Sequence, residues 1–281
     1  MPMNLSGLFH GAIRLIFLVF IAGGLNACKK NNTENPNPAE NDKPYIKLVR
    51  SIEYDNGITA AMHYNEDSTL KEITYRYGNI LNSTIFNWEN QRLKELYEDR
   101  SLYKNAFHYS ESGISYYVNT YKNIQLPSSY KMEYSYDEKE RVTALKYYTT
   151  NEVGTTLKAT STYYYNNAAA LEKVETKDAT AVYTHVIESY SDTAYFNPLL
   201  FIETSLSENY PIFNIPVLSR MKGFPAKIIR KVKIGNEAAY IDKIVENTVL
   251  TADKNISKIT SRITVPDMPS YDIRIVSIFK Y

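Results

Sequence analysis

The stretch Met132-Glu133-Tyr134-Ser135-Tyr136-Asp137-Glu138-Lys139-Glu140-Arg141-Val142-Thr143-Ala144-Leu145-Lys146 reads as two strands joined by a short charged loop. Apolar residues follow Tyr136 by six and nine positions, at Val142 and Leu145. The same offsets recur at Tyr64, Leu70 and Ile73, at Tyr165, Leu171 and Val174, and at Leu250, Ile256 and Ile259. Trp88, Leu93 and Leu96 repeat the pattern one residue shorter. Successive strand side chains point to opposite faces, so offsets that differ by an odd number place the two apolar residues on different faces unless a bulge intervenes. Recurrence at every copy favours the bulge.

Between the copies, Lys71 to Tyr77 alternates apolar and polar residues, and Val182 to Ile187 is rich in β-branched side chains. Turn clusters such as Asp55-Asn56-Gly57 and Tyr77-Gly78-Asn79 separate them. Strands joined by loops this short are antiparallel neighbours. The expectation is an all-β fold, an antiparallel meander of repeated hairpins curling into an open or closed barrel-like sheet. The 26 tyrosines beside only 10 glycines fit such a sheet, where a ring packs on its neighbours and the hydroxyl reaches a polar partner.

The pattern breaks between Phe196 and Pro225. Asn197 to Leu206 predicts a short helix begun by Pro198, and Tyr210 to Leu218 is apolar but interrupted by prolines. Neither suits a central strand, so both should cover an end or a face of the sheet. Leu199, Phe201, Tyr210 and Phe213 are the residues expected to face a ligand or to form a lid.

Residues 1–27 read as a signal sequence. Arg14 is the only charge before Cys28, and the apolar run from Ile13 to Leu25 is short for a transmembrane helix. Cys28 is the only cysteine, so an intramolecular disulfide is impossible. Residues 28–44 lack large apolar side chains and predict a disordered tether about 20 Å long. Residues 45–281 then form a single all-β domain. Without residues 1–27 the chain has 31 basic and 31 acidic side chains, since only Arg14 is lost. That balance, with no basic cluster, argues against nucleic acid. No poly-basic run suggests docking to anionic lipid.

The ending Leu25-Asn26-Ala27-Cys28 is similar to the lipobox of bacterial lipoproteins, which implies lipid attachment to the Cys28 sulfur and a membrane partner. Together with Asn197-Pro198-Leu199 and Ser219 to Ile228, the hairpins resemble a family of lipoproteins of unknown function from Gram-negative gut commensals, described as porin-like in fold. The hairpin unit is also similar to the tyrosine-aspartate repeats of secreted toxin shells. Those hairpins carry glycine four residues after the tyrosine, where this chain has Ser68, Glu140 and Ala169. The resemblance implies fold and an outer-membrane location, and no activity. Lys29 and Lys30 stand where surface-exposed lipoproteins of these bacteria tend to carry acidic residues, which favours the periplasmic face.

No P-loop, dinucleotide fingerprint, nucleophile elbow or His-Glu-x-x-His is present. His63 and His108 each precede a hairpin aromatic, but no carboxylate at fixed spacing completes a metal site. The reading is therefore non-enzymatic, with no cofactor and no metal: a binding or structural role toward a glycan, a peptide or another envelope protein. Three alternatives stay open. They are a periplasmic carrier of a lipid-like molecule in a barrel cavity, an outer-membrane barrel suggested by the alternating C-terminal run Ile273 to Tyr281, and a hydrolase whose carboxylates come from distant strands.

Overall fold

Pairing of the last strand with the first closes the sheet on itself. The computed structural model describes residues 47–122, 130–151, 154–194, 212–221 and 223–281. The strands are β1 (Ser51–Tyr54), β2 (Thr59–Tyr64), β3 (Leu70–Tyr77), β4 (Ile80–Glu89), β5 (Arg92–Glu98), β6 (Tyr103–Ser110), β7 (Gly113–Tyr121) and β8 (Tyr130–Tyr136). They continue as β9 (Val142–Asn151), β10 (Gly154–Tyr165), β11 (Leu171–Asp178), β12 (Ala181–Tyr190), β13 (Pro225–Ile234), β14 (Tyr240–Ala252), β15 (Asn255–Val265) and β16 (Met268–Lys280). Each pairs antiparallel with the next, and β1 pairs with β16, so the 16 strands form a closed barrel.

Among the described residues one short helix, α1 (Ile215–Leu218), lies between β12 and β13. It falls in the second of the two apolar runs, with Pro216 in its first turn. The helix expected from Pro198 lies outside the described residues, as do Cys28, Leu199, Phe201 and Tyr210.

The hairpin offsets are explained by a bulge. Tyr64 pairs with Leu70 and His63 with Glu72, so Lys71 is extra, and both Leu70 and Ile73 are buried. Thr143 is extra in the same way opposite Tyr136, and Glu172 opposite Tyr165. The loop after each tyrosine has one geometry: Ser68, Glu140 and Ala169 take φ of 67°, 58° and 63°. Their amides donate to Asn65, Asp137 and Asn166, and the amides of those three donate to Thr69, Arg141 and Ala170. The conformation that favours glycine is kept without it. Leu250 does not take the tyrosine's place: Thr251 pairs with Ile256, and Leu250 points outward, 52% exposed. Conversely, Tyr109, Ile114 and Tyr117 form a further short copy, with the bulge between His108 and Tyr109.

The wall is apolar inside and polar outside. Ile73, Met132, Val142, Leu145, Val174 and Val245 are among the inward residues, each at most 1% exposed. Lys71, Arg76, Lys94, Lys231, Glu246 and Arg274 stand on the outside, exposed. A membrane-spanning barrel needs the reverse, an outward apolar band. Strand length does not decide the matter, because β9, β10 and β12 to β16 run to 10–13 residues and would cross a bilayer, which takes about 9–11.

Sixteen strands would ordinarily enclose a water-filled channel. Here large inward side chains and the α1 segment occupy the interior in one continuous apolar cluster. The core is graded along the barrel. Toward the end opposite α1 it becomes polar, with Ser161 bonded to Thr176 at 2.7 Å, and Asn119 and Tyr130 both donating to Asn105. His185, Arg230 and Lys243 occupy one inward cross-strand row, and Arg230 pairs with Asp242.

Candidate functional site

Strands β2, β4, β6, β8, β10, β12 and β14 all run toward the same rim, where the hairpin bulges, the α1 segment, the C-terminus and the start of β1 also lie. This plug rim is the candidate site. It is the end at which the repeat, the break in the repeat and the incoming chain meet.

The rim is clasped by aromatic side chains, each reaching back to an earlier strand. Trp88 Nε1 donates to Leu70 O at 2.6 Å, Tyr109 Oη to Leu93 O at 2.9 Å, and Tyr136 Oη to Ile114 O at 2.6 Å. Tyr165 donates to Val142 O at 2.9 Å and Tyr190 to Leu171 O at 2.5 Å. Tyr64 reaches Val49 O and Tyr281 reaches Ile256 O. In six of these seven the acceptor is the first buried apolar residue of an earlier hairpin's second strand, beside a bulge in the ladder. Burial holds the hydroxyls protonated: Tyr64, Tyr109, Tyr165 and Tyr281 are pushed up to about 12 from 10.0, and Tyr136 and Tyr190 further.

Residues 212–221 close this end. Ile212 and Phe213 are fully buried, and Tyr163, inside the wall, donates to Ile212 O at 2.9 Å. Phe213 meets the His185 ring edge-on at 6.2 Å between centroids. Phe213 therefore belongs to the core and not to a ligand-facing lid: it fills the barrel mouth from within. Val217 and Leu218 are buried beside it. The chain returns to the wall through Gly223, where a Cβ would sit 3.1 Å from Ser191 O. That close approach lets Ser191 N donate to Phe224 O and Phe224 N to Ser191 Oγ.

Arg220, on the outside of the plug, donates to Glu140 Oε2 at 2.8 Å and to Ser112 O at 3.4 Å. It ties the plug to the β8–β9 and β6–β7 loops. Two clefts flank it. One, about 180 Å³, is lined by Arg92, Tyr109, Tyr136, Glu140 and Pro216 among others. The other, about 220 Å³, lies against Tyr165, Tyr190, Val217 and Met221. Each is smaller than the roughly 300–1,000 Å³ of small-molecule pockets. Arg220 and Glu140 were not singled out as site residues by sequence, although Ser219 to Ile228 stood out as a unit.

The inward tyrosines are packed: Tyr117 contacts Phe107, Tyr130 and Tyr134, and Tyr130 contacts Tyr147. These tyrosines are thus core, while toward the opposite rim the inward Tyr103 and Tyr121 are half-exposed. On the outer wall, Lys122 lies over Tyr97, Lys131 over Tyr116 and Lys173 over Tyr164, at 3.9–4.7 Å from the ring centres. His108 stacks on Tyr116 at 4.2 Å. Burial, with Lys94 and Lys131 nearby, lowers its pKa. His63, on β2, is four strand spacings from His108, about 19 Å, which separates the histidine pair. Among the described residues no group of three or more His, Cys, Asp or Glu could hold a metal.

Among solved structures the chain is similar to a porin-like protein from Bacteroides uniformis, with a TM-score of 0.54 and 14% identity over 83% of this chain and 97% of that one. It is also similar to a porin-like protein from Bacteroides vulgatus, with a TM-score of 0.53 and 11% identity over 84% and 99%. At such identities the likeness shows the barrel fold alone. No described family matches the sequence, and no curated protein is similar to it.

Proposed function

We propose that the chain is a lipid-anchored protein of the outer membrane, held through Cys28, whose barrel serves a binding or structural role without catalysis. The observation that supports this reading is the polarity of a closed, plugged wall. A barrel that is charged outside and filled inside has no belt for lipid and needs another means of attachment. Acylation at Cys28 would supply it, and two or three acyl chains hold a protein stably where one does not.

A filled interior moves ligand contact to the outer wall. The cation-flanked rings of Tyr97, Tyr116 and Tyr164 are the surface we assign to a glycan, a peptide or an envelope protein. The carrier alternative asks for a sizeable apolar cavity, and the clefts beside Arg220 are too small for a lipid chain.

Two measurements test the reading. Intact-mass analysis of the protein purified from membranes should show added acyl mass that is absent in Cys28→Ala. Replacement of Tyr97, Tyr116 and Tyr164 together by Ala should reduce retention on cell-wall glycans or recovery of envelope partners. Unchanged retention and unchanged partners in the folded triple variant would remove the outer-wall assignment.

A further inference from the structure

The repeat supplies an internal control for the outer wall. The residue just before each clasping position points outward, and in five hairpins it is His63, Asn87, His108, Ser135 or Tyr164. In β14 it is Leu250, 52% exposed. Leu250 pairs across to Lys258, and Lys258 to Ile278, 41% exposed, so two aliphatic side chains flank a lysine in one outward row. Leu48, 36% exposed, extends this patch at the plug rim.

Basic side chains surround it. Lys47 and Arg50, Lys254 and Lys258, and Lys280 come from three separate places in the chain. Lys47 pairs with Asp253 and Lys280 with Glu53, so the plug-rim ends of these strands carry five cations against two acids, a net of three positive charges. Lys47 is also where the chain arrives from Cys28. By composition, a tether of residues 29–46 would span only about 20–25 Å.

We propose that the outer wall formed by β14, β15, β16 and β1 at the plug rim lies against an anionic phospholipid leaflet, the one that holds the acyl chains at Cys28. This rests on the anchoring reading above for its geometry. Exposed aliphatic side chains ringed by lysine are the chemistry of an interfacial surface, with apolar groups at the acyl boundary and cations on phosphate. The short tether keeps the patch within reach of that leaflet and turns the opposite rim, with Asn79, away.

The test uses the acylated protein in vesicles, with bimane attached to Thr251→Cys or Asn79→Cys and a nitroxide on the lipid headgroup. The Thr251 probe should be quenched several-fold more than the Asn79 probe when phosphatidylglycerol is present. Lys254→Glu with Lys258→Glu should abolish the difference. Equal quenching at the two rims, with acyl mass confirmed, overturns the proposal. Full-length Cys28→Ser protein should still co-sediment with phosphatidylglycerol vesicles, more weakly, and be released by the charge reversal. That result with no acyl mass on the wild type would remove the anchor and keep the surface, whereas failure of both sedimentation and quenching removes the surface.

Discussion

Tyr136 donates its hydroxyl to the carbonyl of Ile114, 22 residues earlier and 2.6 Å away, joining the β8–β9 hairpin to the one before it. Trp88, Tyr109, Tyr165 and Tyr190 make the same connection around the rim. The bond ties neighbouring hairpins at a carbonyl beside a bulge in the sheet.

Removing one clasp should leave that carbonyl without its donor. Tyr136→Phe keeps the ring and loses the hydroxyl, at an expected cost of about 1–2 kcal/mol in chemical denaturation. Tyr77→Phe, at a ring 53% exposed on the opposite rim, should change stability by less than about 0.5 kcal/mol. Equal effects would deny the clasp a role.

The clasps also predict alkaline sensitivity. A phenolate cannot donate, and burial raises the folded pKa of Tyr64, Tyr109, Tyr165 and Tyr281 from 10.0 to about 12. Because the folded value lies above the unfolded one, this stabilisation is complete below pH 10 and is lost as pH rises through 12. Ultraviolet titration of phenolate should show a late group of tyrosines ionising together with loss of near-ultraviolet dichroism, and Tyr136→Phe should advance that transition.

Ala169 sits at φ 63° in an exposed loop, where its Cβ is a liability. Ala169→Gly should therefore raise stability by about 0.5–1 kcal/mol, even after the added freedom of the unfolded chain is counted. A loss of stability by thermal or urea unfolding would show that the loop geometry is wrong.

Phe213 should behave as core. Phe213→Ala should cost about 3–5 kcal/mol through lost burial and the cavity left in the mouth of the barrel. Leu250→Ser, at a half-exposed outer position, should be nearly neutral in the isolated protein. Calorimetric scans of the two variants separate a plug from a movable lid, since a lid would unfold without lowering the main transition.

Much of the fold is legible in the order of residues alone. The offsets after Tyr64, Tyr136 and Tyr165 announced hairpins with a bulge, and short loops made the strands antiparallel neighbours, because both are local consequences of pleat and turn. The shift at Leu250 was not legible. A two-residue turn at Asp253 and Lys254, both with positive φ, moves the pairing by one residue, and only the register with Ile256 reveals it. Phe213 lies in the stretch where the prolines interrupt the repeat, but its direction, inward, depends on the wall it packs against.

Local pattern by itself determined the strands and the bulges, because each is written in neighbouring residues. Closure through β1 and β16, the filling of the barrel and the patch joining Lys47, Arg50, Leu250, Lys258, Ile278 and Lys280 were decided only by tertiary structure. The sequence holds no basic run, yet residues more than 200 positions apart become neighbours when the last strand pairs with the first. Charge and apolar area on a surface are sums over strands that meet in space, and no window of sequence contains them.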